Sequence, residues 1–164
     1  MNDRNFTTRF TVDQAPETVH MAINNVRGWW SAGIEGHADK VGDKFTHQVL
    51  DLHRCEIAVT DMVPGKRVVW TVLDNYFSFT KDETEWKDTN IVFEIARAGD
   101  KTELKFTHVG LVPEYECYNI CKDGWQTYIN SLRDLIATGK GQPNIGEAKT
   151  ESELALVRSA KGTS

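Results

Sequence analysis

Positive charge is scarce: 19 Lys and Arg stand against 24 Asp and Glu in 164 residues, a formal net charge of −5. A phosphate-binding surface needs clustered Lys and Arg, and the pair Lys66-Arg67 sits beside a turn signal rather than in a basic stripe. Nucleic acid is therefore not expected as a partner. Cysteine is sparse too. Cys55, Cys117 and Cys121 are odd in number and show no CxxC spacing, which fits reduced thiols in the cytoplasm better than a disulfide scaffold. Cys117 and Cys121 lie one helical turn apart, half of a soft-metal site, but no nearby His or Cys completes it and ordinary packing is the expected role. The opening MNDRNFTTRF has no apolar signal-peptide core, and no apolar run approaches the ~18 residues of a membrane span. The glycines follow neither a GxGxxG nor a P-loop order, so nucleotide binding is unsupported. No cofactor and no metal is expected.

Aromatics, in contrast, are plentiful: seven Phe, five Trp and four Tyr must be housed. A domain near this size buries roughly 68 to 70% of its unfolded surface and needs no metal or disulfide to hold it. The segment Pro113 to Thr138 is the one stretch both long and periodic enough for a long helix. Its Tyr118, Cys121, Trp125, Tyr128, Ile129, Leu132, Leu135 and Ile136 recur at steps of three and four, placing them on one stripe.

Asn5 to Val12 alternates Phe6, Thr8, Phe10 and Val12 against Thr7, Arg9 and Thr11, the period of a half-buried strand. Asp13 then offers a carboxylate cap for a short helix starting at Pro16-Glu17 and running to about Val26, with Gly28 as its breaker. Trp29 and Trp30 are expected to face different ways, one in the core and the other at a rim or as a second pocket wall. Ile34 to Gly42 reads as a loop. Strands are expected over Lys44–Leu50, Arg54–Val63 and Arg67–Leu73 as a meander, the last two joined by a type II turn at Pro64-Gly65. Asp74 to Asp88 reads as a long loop with partial strand character. Trp86 is out of phase with Ile91, Phe93 and Ile95, which calls for a bulge near Asp88-Thr89. Asn90–Ala98 and Thr102–Val109 form a hairpin across Gly99-Asp100. Residues 1–143 are expected to form one domain, and 144–164, polar and weakly patterned, a flexible tail.

This order predicts an α+β fold: a strongly curved antiparallel sheet of six to seven strands wrapped around a long C-terminal helix, with two short helices after strand one. The stretches FTVDQAPETVHMAINNVRGWWS (10–31) and TELKFTHVGLVPEYECYNICKDGWQTYINSLRDLIATGKGQP (102–143) carry a resemblance. They are similar to the START-like, birch-pollen-allergen-like helix-grip superfamily, often called SRPBCC. Within it the chain resembles the group homologous to the C-terminal domain of the activator of the 90-kDa heat-shock protein's ATPase. The similarity spans roughly residues 5 to 143. It implies the helix-grip fold with some cavity between sheet and helix, and it leaves function open among polyketide cyclases, lipid and hormone carriers, stress proteins and cochaperone domains. No counterpart of the eukaryotic activator's separate N-terminal chaperone-binding domain lies within these residues, so ATPase stimulation is not carried over.

Projecting the inward parities brings Phe45, His47, Trp70, Phe93, Phe106 and His108 from the sheet toward Trp125 and Tyr128 from the helix, with Trp30 near an opening. Such a set, apolar with a few polar tips, suits a small hydrophobic or amphipathic ligand, unless the rings fill the space themselves. His47 and His108 are either core residues or general bases; no acid lies on their parity, since Glu56 and Glu94 point outward. The leading expectation is non-catalytic binding of a small hydrophobic molecule. One alternative is a cochaperone-type protein-interaction domain, for which an exposed Trp29 or Trp86 would speak; the charged run 81–85 reads first as a solvated loop and only then as a lid or a partner-binding loop. Another is a cyclase- or hydrolase-type enzyme using His108 and Tyr128.

Overall fold

Period-two alternation does most of the building. In β1 (Phe6–Val12) Phe6 and Val12 are buried while Thr7, Arg9 and Thr11 face solvent, and β1 pairs antiparallel with the last strand, β7 (Lys101–Val109). The computed structural model describes residues 6–31, 34–49, 53–77, 87–111 and 118–143. Between β1 and β7 lie α1 (Pro16–Asn24), α2 (Val26–Trp29), β2 (Glu35–Gly36), β3 (Lys44–Val49), β4 (His53–Val63), β5 (Arg67–Phe77) and β6 (Asn90–Ala98); α3 (Tyr118–Thr138) follows. The seven strands form one curved antiparallel sheet in the order β1-β7-β6-β5-β4-β3-β2, so the expected meander is present and β1 closes onto its far end. Register shifts in the β4–β5 ladder, at Glu56/Ile57 and Val59/Asp61, are irregularities of the kind that increase local twist.

Turn chemistry sets the register of the central hairpin. Lys66 N–H donates to Val63 O at 2.9 Å, and Gly65 takes φ +71° at the third position of a type II turn. At the start of β6, Asp88 and Thr89 together face Val72: Asp88 N–H donates to Val72 O, Val72 N–H donates to Thr89 O, and Asp88 has φ +70°. That is the anticipated bulge. Trp86, whose phase called for it, lies outside the described residues, as do the charged run 81–85, Phe79, residues 112–117 and the expected tail 144–164.

Four local expectations need correction. Asp13 does not cap α1: the cap position is Ala15, which has no side-chain cap, while Asp13 pairs with Lys101 at 2.6 Å. Pro16 in the first turn starts the helix instead. Gly28 does not break the helix either. The break is at Asn25 (φ −83°, ψ 64°), and Gly28 sits inside the short α2. The Ile34–Gly42 stretch is not all loop, because Glu35 and Gly36 pair with Thr46 and Phe45 as β2. Finally, β5 does not end at Leu73: it continues through Asp74 to Phe77, paired with β4 as far as His53, which is the partial strand character expected of that stretch.

The stripe on α3 packs as its spacing predicts: Cys121, Trp125, Tyr128, Ile129, Leu132 and Ile136 are buried, with Tyr118 and Leu135 partly so. They meet Ile91, Phe93, Leu104 and Phe106 of the sheet within one apolar core, while α1 and α2 pack beside α3. Past the helix, Gln142 N–H donates to Ser131 Oγ at 2.6 Å, folding residues 139–142 back over α3. Position 141 is pinched there: a Cβ would lie 2.5 Å from the Gly28 carbonyl oxygen, so this strap also presses on α2.

Candidate functional site

All nine residues projected into the interior are buried: Trp30, Phe45, His47, Trp70, Phe93, Phe106, His108, Trp125 and Tyr128 are each at most 4% exposed. Their rings make a circuit. Phe45 meets Trp70 (centroids 5.0 Å apart), Trp70 meets Phe93 (4.7 Å), Phe93 meets Phe106 (5.3 Å) and Phe106 meets Trp125 (4.6 Å). Trp30 closes it, 4.9 Å from Trp125 and 6.1 Å from Phe45. These separations lie in the range where aromatic pairs attract beyond their area burial.

Trp29 joins them, against expectation. It is 0% exposed and stacks on Trp30 (6.0 Å, 19°) and Trp70 (6.3 Å, 13°). The expectation that the two face different ways fails because Trp29 ends a helix and Trp30 caps it with φ −94° and ψ −68°; successive helical side chains diverge by only about 100°. Both rings therefore reach the core. Trp30, assigned to an opening, is instead in the middle, and Trp29 offers no exposed anchor.

His108 is fully committed. Trp125 Nε1–H donates to its Nδ1 at 3.0 Å, and since an indole only donates, Nδ1 must carry the lone pair. Nε2 then carries the proton and donates to Thr89 Oγ1 at 2.8 Å. Burial lowers the His108 pKa from 6.5 to about 3, so the ring is neutral at physiological pH. His47 is lowered to about 3 for the same reason and lies 4.4 Å from Trp30 and 6.5 Å from Tyr128. Tyr128 thus sits across from His47. No Asp or Glu is buried among the described residues, and Glu56 and Glu94 are exposed as their parity required.

A third buried imidazole escaped the parity projection. His20 on α1 is 8% exposed, and its Nδ1 accepts the Gly65 N–H at 2.9 Å, which ties α1 to the β4–β5 turn. Its spacing of three from Ile23 was the available signal. Burial lowers its pKa too. The buried Cys55 thiol is pushed up by burial and is chemically quiet.

Two further features bear on chemistry. The Trp70 indole N–H, on a residue 0% exposed, has no acceptor among the described residues. Beside the β4–β5 irregularity, a cleft of about 70 Å³ is lined by Thr46, Arg54, Cys55, Glu56, Asp74 and Asn75. Pockets for drug-sized ligands run from roughly 300 Å³ upward, so this cleft is small beside them. Among the described residues no group of three His, Cys, Asp or Glu is arranged to hold a metal.

The family described as Activator of Hsp90 ATPase homolog 1-like protein matches residues 6–137. The chain belongs to this family. The helix-grip architecture read from segments 10–31 and 102–143 is also the architecture of its structural neighbours. The solution structure of the Aha1 dimer from Colwellia psychrerythraea aligns with TM-score 0.67 and 23% identity over 84% of this chain and 98% of that one. Protein MLL2253 from Mesorhizobium loti aligns with TM-score 0.65 and 17% identity, over 81% and 96% of the two chains. CalU16 from Micromonospora echinospora aligns with TM-score 0.60 and 15% identity, over 82% and 77%. No curated protein matches. At these identities the neighbours of this Hsp90-activator-like chain establish its fold and nothing finer.

Proposed function

We propose that the chain is a cytoplasmic, non-catalytic binder of a small, mainly apolar molecule held between the sheet and α3. The observation that carries this is the Trp70 indole N–H, buried inside an aromatic circuit with no acceptor among the described residues. Leaving such a donor unsatisfied costs about 1 to 3 kcal/mol, which a ligand's carbonyl or hydroxyl oxygen would recover. The surrounding Phe45, Phe93, Trp30 and Trp125 supply apolar walls, and His47 and Tyr128 supply polar tips to orient a ligand. A thermal-shift screen of fatty acids, sterols, flavonoids and polyketides tests it. A hit at a hundredfold excess over Kd stabilises the folded state by about 2.7 kcal/mol, well within reach of the assay. A silent screen removes the reading.

A second reading, a protein-interaction domain of cochaperone type, is favoured by the family match over residues 6–137 and by the mutual contact of the interior rings, which leaves the outer surface to do the binding. Its test is the ATPase rate of an Hsp90-type chaperone with and without this chain. The cyclase- or hydrolase-type alternative draws less support, because His108 spends both ring nitrogens on Trp125 and Thr89.

A further inference from the structure

We infer that the open edge of β1 is a docking edge for an extended segment of another protein, one that is apolar at alternate positions and carries a carboxylate opposite Arg9. The inference goes beyond the ligand-binding reading and needs no occupant between the sheet and α3.

The two ends of the sheet are finished differently. At one end β2 is only two residues long and stops at Gly36 with φ +104°, so it offers little backbone to pair. At the other, β1 runs for seven residues, FTTRFTV, with no proline, no glycine and no register shift against β7. Natural edge strands are blunted by such features or by charge, and here Arg9 is the single charge. The direction of the backbone groups follows from two hydrogen bonds. Phe6 N–H donates toward the β7 side, to Leu111 O at 2.9 Å, and Phe106 O, across from Thr8, accepts the Thr7 hydroxyl at 2.9 Å. Alternation then turns the N–H and C=O groups of Thr7, Arg9 and Thr11 away from β7. Their donors and acceptors line an edge on which no described strand lies.

The side chains name the occupant. On the inner face of β1, Thr8 and Phe10 stay half-buried, whereas the inner residues Leu104, Phe106 and His108 of the neighbouring β7 are at most 1% exposed. An added strand with apolar residues at alternate positions would cover them, its backbone supplying affinity and its side chains specificity. On the outer face Arg9 lies directly across from Lys105, a like-charge pair that disfavours the ladder, and Lys105 has Glu94 on its far side. The Arg9 ion pair with Glu103 is long, 3.9 Å. A carboxylate on the open side would set an acid at each end of the Arg9–Lys105 pair. The same arginine argues against a second copy: full-length antiparallel pairing of β1 with its own image places Arg9 opposite Arg9.

The test titrates the full chain with the peptide acetyl-VTVEVTV-amide and follows backbone amides by proton–nitrogen NMR. The Thr7, Arg9 and Thr11 amides should move downfield saturably, and more than those of Thr8 and Phe10, which face β7. The peptide acetyl-VTVKVTV-amide should bind about fivefold or more weakly, and Arg9→Glu should reverse that order. Thr11→Pro removes a donor from the open edge without touching the β1–β7 ladder, a place where a strand tolerates proline, and should weaken binding about tenfold or more at a nearly unchanged melting temperature. Absence of saturable shifts at the three amides, or equal binding of the two peptides by the wild type, overturns the inference; this comparison decides alone if Thr11→Pro does not fold. A dimer of the chain by itself that Thr11→Pro dissociates also overturns it, since the edge would then serve a second copy.

Discussion

Trp125 on α3 donates its indole N–H to Nδ1 of His108 on β7 at 3.0 Å, a buried hydrogen bond joining the helix to the sheet. It fixes the His108 tautomer and pins the rotation of α3 over the strands. Trp125→Phe keeps most of the ring but leaves the imidazole nitrogen without its donor, and is expected to cost about 1 to 3 kcal/mol. Trp125→Ala also opens a void and is expected to cost about 3 to 5 kcal/mol. Urea unfolding of the two variants separates the contributions; equal losses would mean the hydrogen bond contributes nothing beyond packing.

Acid should unfold this protein early. His47 and His108 are both lowered by burial from 6.5 to about 3, so between those values the unfolded chain binds protons that the folded chain refuses. The stabilisation is complete above about pH 6.5 and is lost as the pH falls toward 3. At pH 4.5 the pair has lost roughly 5 kcal/mol, much of an ordinary domain's stability. Melting temperatures measured from pH 8 to pH 4 should stay level and then fall steeply below 6.5. A flat profile down to pH 4 would contradict the burial of both rings.

The β4–β5 turn offers a backbone test. Gly65 has φ +71°, and a Cβ there would stand 3.1 Å from Glu17 Oε2. Gly65→Ala should cost about 1 to 2 kcal/mol from the left-handed backbone alone. Since the Gly65 N–H also donates to His20, a shift of the turn should loosen α1, seen as faster amide exchange in α1 than in α3. Equal protection in both helices would show that His20 does not tether α1.

Two truncations locate the end of the domain. Removal of residues 144–164 is expected to leave the melting temperature nearly unchanged, because their sequence offers no continuous apolar stripe. Removal from Gly139 onward also deletes the strap, with its Gln142–Ser131 hydrogen bond and its contact on Gly28, and should lower it by several degrees. A large loss from the first truncation alone would mean that the tail docks.

The sheet and α3 were legible because each presents one buried face at a fixed period. Phe93, Phe106 and Trp125 could thus be assigned to the same interior from parity and helical spacing. The segment between β1 and β3 is less legible, since its elements are too short for a period to establish itself. Trp29 and Trp30 turned on the end of a four-residue helix, and β2 exists only because Glu35 and Gly36 find Thr46 and Phe45 across the chain. Asp13 had a plausible cap role in sequence, but a nearby lysine from β7, distant in the chain, claims its carboxylate. His20 stayed hidden because its partner is a backbone N–H, which no side-chain pattern announces.

The indole N–H region of a proton–nitrogen NMR spectrum tests the central claim most directly, because five tryptophans give five resolvable signals. On titration with the best molecule from the thermal-shift screen, the Trp70 Nε1–H signal should move downfield as it gains an acceptor, together with changes at Trp30 and Trp125. If stabilisation occurs while the Trp70, Trp30 and Trp125 signals all stay in place, the molecule binds elsewhere, and the interior between the sheet and α3 is a packed core rather than a ligand site.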